Sequence, residues 1–407
     1  MRILLLAQFY PPIMGGVERH VQSLGAGLAA RGHDVSVATL WHKGLPEFEM
    51  DGPVRIHRIR GTMQRLTTLF TVDRQHSPPF PDPEAAIALR RVIVAEKPEI
   101  VHAHNWLMHS FLPIKHLGKA KLVLTLHDCE LACVQMRMMY MDKTLCAGPG
   151  LRCLGCAAHH YGPLKGAVTL AGNRLMAGIE HRLVDMFVPV SNAIADANQL
   201  TGSGLPYCVI PNFVPDKVDE IDPELDERVA ALPEGYILQV GDLALDKGIE
   251  VLLAAYRELD SAPPLVLIGR RLPESPQNLP ANVTLINGLP HKAVMQAWQH
   301  SLFGTVPSTC LDASPTVTLE AMACGKAVIG SNIGGIPDQI VEGETGFLVP
   351  PGDAGALRVA MTRLITDESL RVRMGAAARL RVDQFRASSV VGQIEEMYIS
   401  LKETEKR

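Results

Sequence analysis

PSTCLDASPTVTLEAMACGKAVIGSNIGGIPDQIVEGETGFLVPPGD, Pro307 to Asp353, places Asp312 eight residues ahead of Glu320, with a helix start between them and a glycine-rich turn behind. Ser314-Pro315 signals that start: a hydroxyl at the N-cap, then proline at the first helical position, where no amide is missed. The N–H groups of Thr316 and Val317 then lack intrahelical partners, and the positive end of the helix dipole adds to them. The result is a seat for an anion such as a diphosphate. Glu320 comes six residues past the cap, about 9 Å along the axis at the helical rise. A carboxylate there accepts hydrogen bonds from both hydroxyls of a ribose, and Asp312, ahead of the helix, falls nearer the other end, where hexose hydroxyls belong. A lone D-x(7)-E pair is more often a loop acid and a solvated helix residue; here roughly forty neighbouring residues agree with the ligand reading.

Outward from this stretch, short apolar runs alternate with amphipathic helices, the pattern of parallel α/β sheets. The spacing predicts strands at Arg2–Ala7, Asp34–Leu40, Val54–Arg60, Glu99–Ala103, Lys121–Leu126, Met186–Val190 and Tyr207–Ile210. A second set begins at Tyr236–Val240 and runs through Leu265–Ile268, Val283–Ile286, Leu302–Val306, Ala327–Gly330 and Phe347–Val349. Two domains are the natural expectation for 407 residues: 1–209, 210–385, and a last helical segment 386–407. The Pro- and Asp-rich stretch Pro211–Glu234 is the hinge candidate. Ligands of doubly wound sheets bind at the carboxyl ends of the strands.

An apolar content of 47% with 20% charged residues is that of a soluble globular protein. A formal net charge of −4 without a basic block argues against nucleic acid as a partner. The opening MRILLLAQFYPP is too short an apolar run for a signal peptide and reads as a strand. No stretch approaches the roughly 20 apolar residues of a membrane span. A cytoplasmic protein is expected, with at most peripheral contact at the inner face of a membrane.

The quoted segment resembles the nucleotide-binding half of the family 4 glycosyltransferases, retaining enzymes of the GT-B architecture. Their hallmark is an acidic residue, seven others, Glu-Ala, then a G-x-P-V-I strand and a G-G-x-x-E/D turn. Here these read Asp312, Glu320-Ala321, Gly325-Lys326-Ala327-Val328-Ile329 and Gly334-Gly335-Ile336-Pro337-Asp338, with Asp312 where the family has Glu and Ala327 where it has Pro. The resemblance extends from Gln8 to Phe385. It implies two Rossmann-like doubly wound domains facing across a cleft, the C-terminal helix crossing back to the first domain. It also implies transfer of a hexose from a nucleotide-diphosphate sugar to an acceptor hydroxyl without a catalytic metal.

The resemblance assigns further residues. Gly15-Gly16-Val17-Glu18 matches the family's G-G-x-E turn after the first strand, where glycine lets backbone approach a phosphate at a helix start. Gly241 to Gly248 matches G-R-L-x-x-x-K-G, whose cations clamp the leaving diphosphate; Lys247 is kept, but the arginine is Asp242. An acid there repels a diphosphate by several kcal/mol at an effective dielectric of about 20. Asp242 is therefore expected to point away and another cation to compensate, Arg270 and Arg271 being the candidates, or else solvated loop arginines. His127-Asp128 follows a strand end, and the family has a histidine there beside the transferred sugar. The implied catalytic set is Lys247, Asp312 and His127; the donor-binding set is Gly15, Gly16, Lys247, Arg270, Asp312, Thr316, Val317 and Glu320. His102, His104 and Asn105 fall at another strand end, while His109 and His116 read as bystanders.

Five of the eight cysteines fall in a loop-rich insertion, 129–160. Cys153-Leu154-Gly155-Cys156 has zinc-knuckle spacing, and Cys133 and Cys146 would complete four thiolates of a structural zinc site; reduced thiols are the other reading. Two other classes stay open: a related sugar-nucleotide epimerase or phosphorylase, and a non-catalytic nucleotide-binding relative. The acceptor, whether a glycan, a lipid-linked sugar or a small metabolite, is not encoded in these motifs; the expected setting is polysaccharide, glycolipid or cell-envelope glycan synthesis.

Overall fold

Strands built from consecutive Leu, Ile and Val, with no polar alternation, need cover on both faces, which is the condition of a parallel sheet. The computed structural model describes residues 1–13, 15–65, 76–220 and 224–403 and divides into two units. The first comprises Met1–Val190, Ile194–Pro211 and the chain from Val390 onward; the second comprises Ser191–Ala193 and Asn212–Ser389. The expected hinge, Pro211–Glu234, lies in the second unit from Asn212 on, apart from residues 221–223, which fall outside the described residues.

The first unit holds a seven-stranded sheet in the order Phe48–Asp51, Val54–Ile59, Asp34–Leu40, Arg2–Leu6, Ile100–Ala103, Lys121–Leu126, Met186–Pro189. All neighbours are parallel except the edge strand Phe48–Asp51, which is antiparallel to Val54–Ile59. The sequence reading missed this edge strand because FEMD carries two acids and no apolar run, as suits an exposed edge. The strand expected at Tyr207–Ile210 is reduced to one bridge, Phe187 to Tyr207. Pro206 and Pro211 flank it, and proline cannot donate to a ladder. Winding reverses between Arg2–Leu6 and Ile100–Ala103, with Ile3 opposite Ile100.

The second unit has six parallel strands in the order Val283–Ile286, Leu265–Ile268, Ile237–Val240, Phe303–Val306, Val328–Ser331, Gly346–Val349. In chain order this is three, two, one, four, five, six, the doubly wound arrangement, and winding reverses between Ile237–Val240 and Phe303–Val306. Trp298, Phe303 and Leu319 are fully buried around it.

The last helix, Ala387–Glu403, returns to the first unit from Val390. Its Tyr398 hydroxyl meets Nδ1 of the fully buried His102 at 2.6 Å, and Lys402 pairs with Glu99. Because His102 is anchored on its other side by Thr125 Oγ1 at 2.7 Å, removing the tyrosine hydroxyl leaves one buried ring nitrogen unsatisfied. Tyr398→Phe is expected to lower stability by about 1–3 kcal/mol. Urea unfolding checks this; a change within a few tenths of a kcal/mol contradicts it.

Candidate active site

In the second unit, the site is assembled at the winding reversal. The turn Leu245–Lys247 ends at Gly248, whose φ is +74° and whose Cβ, if present, would lie 1.9 Å from Pro307 O. No other residue allows this approach, and it presses the loop after one strand against the loop after the next. Thr309 N donates to Asp246 O at 2.8 Å across the seam. Lys247 Nζ then reaches Asp312 Oδ2 at 2.7 Å, and Ser308 Oγ donates to the same oxygen at 2.9 Å. The Asp312 side chain is 13% exposed and that of Lys247 40%. Burial alone would lower the lysine pKa, but Asp312, Cys310 and Asp246 outweigh it and hold the ammonium charged.

The Gly334-Gly335 turn supports the same loop from behind. A Cβ at Gly334 would lie 2.1 Å from Asp312 O, and Gly335 N donates to that oxygen at 2.7 Å. The turn shapes the loop that carries the aspartate.

The helix after Asp312 is Thr316–Ala323, with Pro315 at its N-cap in an extended conformation. This corrects the expected cap: Ser314 Oγ instead accepts from Asn212 N at 3.3 Å and Gln339 Nε2 at 3.2 Å. Thr316 and Val317 remain the first two helical residues, so their amides lie at the positive end of the dipole. Glu320 is buried, and its Oε1 lies 2.8 Å from His291 Nε2. His291 was missed in the sequence because it lies 29 positions away at the start of another helix, His291–His300.

Asp242 does not turn away into solvent. Arg270 clamps it with Nε to Oδ1 at 3.0 Å and a terminal nitrogen to Oδ2 at 2.6 Å, plus its own backbone N–H. The guanidinium lowers the pKa of Asp242. Arg271 donates instead to Gln277 O. Asp242 is thus neutralised by Arg270, which also engages much of the hydrogen-bonding capacity of that arginine.

In the first unit, Gly15 caps the helix Gly16–Ala30 in an extended conformation, and a Cβ on Gly16 would meet nothing within 4 Å. At the neighbouring strand ends, His104 Nδ1 and His127 Nε2 are 3.1 Å apart, and the His20 ring lies 4.8 Å from that of His127. Burial, helped by the neighbouring imidazoles, lowers the pKa of His20 and His104 well below the ordinary value and that of His102 to about 3. Burial pushes Asp128 up to about 7. Spacing along the chain could not show this stacking, because it is made by two separate strand ends and one helix. His109, read as a bystander, is buried with its Nε2 2.5 Å from Glu180 Oε1.

Cys133, Cys146, Cys153 and Cys156, the candidate zinc ligands, are free thiols and are not gathered into one metal-sharing group among the described residues. Cys146 donates to Gly148 O, Cys156 to Met139 O, and Cys153 accepts from Gly150 N and Arg174. Among the described residues, the group of three or more side chains close enough to share a metal is His20, His104 and His127, within 4.8 Å.

Two doubly wound sheets in succession, parallel but for one edge strand, the second with a cation–carboxylate pair and a helix head at its winding reversal, are the GT-B fold of a glycosyltransferase. Residues 14–218 match Glycosyltransferase Family 4, and residues 222–381 match Glycosyl transferases group 1. The chain belongs to the family 4 glycosyltransferases. It is 24% identical to glycogen synthase of Mycobacterium tuberculosis, over 100% of this chain and 96% of that one. Its fold is similar to sucrose-phosphate synthase of Thermosynechococcus elongatus, with a TM-score of 0.73, 22% identity and 99% of each chain covered. It is likewise similar to Anabaena HepE in complex with UDP-glucose, with a TM-score of 0.68, 18% identity, and 98% and 99% covered.

The buried imidazoles make a pH prediction. With a folded pKa of about 3 for His102 against an ordinary value near 6.5, the native state binds fewer protons than the unfolded chain. This contribution to stability is fully present above pH ~6.5 and is lost as pH falls towards 3. Asp128 acts with the opposite sign, favouring the fold at low pH and losing that effect as pH rises through about 7. Site-resolved imidazole NMR separates the two: His102 is expected to stay neutral down to pH ~4, and a midpoint near 6.5 contradicts its burial.

Proposed function

We propose that this enzyme transfers a hexose from a nucleoside-diphosphate sugar to an acceptor hydroxyl with retention at the anomeric carbon. The observation that carries the reading is the Lys247–Asp312 pair beside the head of the Thr316–Ala323 helix. Asp312 Oδ2 fixes the ammonium, and the fixed charge with the amides of Thr316 and Val317 suits a diphosphate whose negative charge grows as the sugar departs. Preorganised charge of this kind needs no metal. Glu320, buried and oriented by His291, suits the two ribose hydroxyls on the base side. Asp312 and His127 are proposed to meet the hexose, and Gly15-Gly16 the phosphates. Arg270 takes part by cancelling the charge of Asp242.

In the transfer, the bond from anomeric carbon to phosphate oxygen breaks while a bond to the acceptor oxygen forms on the same face. The departing phosphate oxygen accepts the acceptor's proton. That sequence needs no side-chain nucleophile. HepE, crystallised with UDP-glucose, supports a nucleotide-sugar donor, and a uridine diphosphate sugar is the first to try. The thiols of Cys133, Cys146, Cys153 and Cys156 suit a reducing cytoplasm. No helix among the described residues is long and apolar enough to cross a membrane.

A thermal-shift screen with UDP, GDP, ADP and their sugars tests the donor site. A donor at one hundred times its Kd is expected to stabilise the protein by about 2.7 kcal/mol. Lys247→Ala is expected to lower donor turnover, followed as released nucleotide, by about 10²–10³-fold. Turnover unchanged in a folded Lys247→Ala protein removes the basis of the reading. In the slow hydrolysis of an α-linked donor, proton NMR is expected to show the α-hexose first; initial release of the β-anomer contradicts retention.

A further inference from the structure

The helix Pro163–Leu183, in the first unit, is amphipathic in the wrong direction for a helix in water. Its buried positions are Gly166, Thr169, Asn173, Met176 and Glu180, one helical face that is largely small or polar. Most of these groups are engaged: Thr169 Oγ1 donates to Lys165 O, Asn173 Nδ2 to Glu130 O, and Glu180 meets His109, while Asn173 Oδ1 has no partner. The opposite face shows Leu164, Val168 and Leu175 at 81%, 51% and 67% exposure. The helix Arg152–Tyr161, packed against it, adds Leu154, and Leu151 at its N-cap is fully exposed. Single exposed leucines need no explanation, but Leu164, Val168 and Leu175 together on one face of one helix mark an interaction surface.

Charge identifies the partner. Between Gly148 and Leu183 the chain carries Arg152, Lys165, Arg174 and Arg182, all exposed, and a single acid, Glu180, which is buried. This occurs in a protein whose formal net charge is −4. The pattern continues nearby: Gly172 packs on Pro79, and the following helix Pro83–Glu96 exposes Ile87 and Val94 beside Arg90 and Arg91. Leucines flanked by arginine and lysine, with no exposed acid between Gly148 and Leu183 and one, Asp142, beside His159 and His160, match the interface of an anionic bilayer. There the apolar face enters the acyl boundary and the cations meet headgroup phosphates. We propose that the hairpin Arg152–Leu183 docks this protein on an anionic lipid bilayer. Nothing in this proposal depends on the identity of the sugar donor.

Co-sedimentation of the full chain with lipid vesicles tests it. The wild type is expected to pellet with vesicles of phosphatidylcholine and phosphatidylglycerol, less so as salt rises, and to remain in solution with phosphatidylcholine alone. Leu164→Glu with Leu175→Glu should reduce the bound fraction by about tenfold or more. Both side chains are exposed, so near-UV circular dichroism and the nucleotide-induced thermal shift should be unchanged. Wild type that stays soluble with anionic vesicles overturns the proposal, as does a double variant that binds like wild type. A wild-type dimer in sedimentation velocity that the double variant dissolves, without vesicle binding, assigns the face to self-association and also overturns it.

Discussion

The second unit depends on one close approach: Gly248 against the carbonyl of Pro307. It locks the loops following two strands that lie side by side in the sheet but apart in sequence. From that contact follow the bond between Thr309 and Asp246 and the ion pair between Lys247 and Asp312. An ammonium held between a carboxylate and partial solvent exposure is a charge kept ready at fixed geometry. Interactions of this kind favour a transition state because no reorganisation is needed when charge develops. The Gly334-Gly335 turn and the Thr316–Ala323 helix are arranged around the same loop, so one short segment carries most of the site.

The first unit solves a different problem. Four imidazoles, His20, His102, His104 and His127, gather where the winding reverses, and burial keeps three of them neutral. The C-terminal helix contributes directly to this arrangement through Tyr398. A segment nearly three hundred residues from His102 in sequence therefore helps to set the hydrogen bonding beneath the strand ends.

Much of this was legible in the amino-acid sequence, and the failures have physical causes. Parallel strands were readable because their apolar runs are unbroken; the edge strand Phe48–Asp51 was not, because exposed edges carry charge. Lys247, Asp312 and Glu320 stand out from a local pattern as candidates. Their partners were less accessible: His291 lies far from Glu320 in sequence, and only the fold shows that Arg270, and not Arg271, clamps Asp242. Ser314 followed by proline read as an N-cap, yet tertiary bonds to Asn212 and Gln339 claimed its hydroxyl. Cysteine spacing suggested a metal, but spacing along the chain does not say where the sulfurs point: Cys156 donates to Met139 O and Cys153 accepts from Arg174.

The most direct measurement is a crystal structure of the enzyme with a bound nucleoside-diphosphate sugar. The account predicts a diphosphate oxygen within hydrogen-bond reach, about 3 Å, of Lys247 Nζ, with the ribose hydroxyls on Glu320. A donor seated away from Lys247, with Glu320 still occupied only by His291, would contradict it.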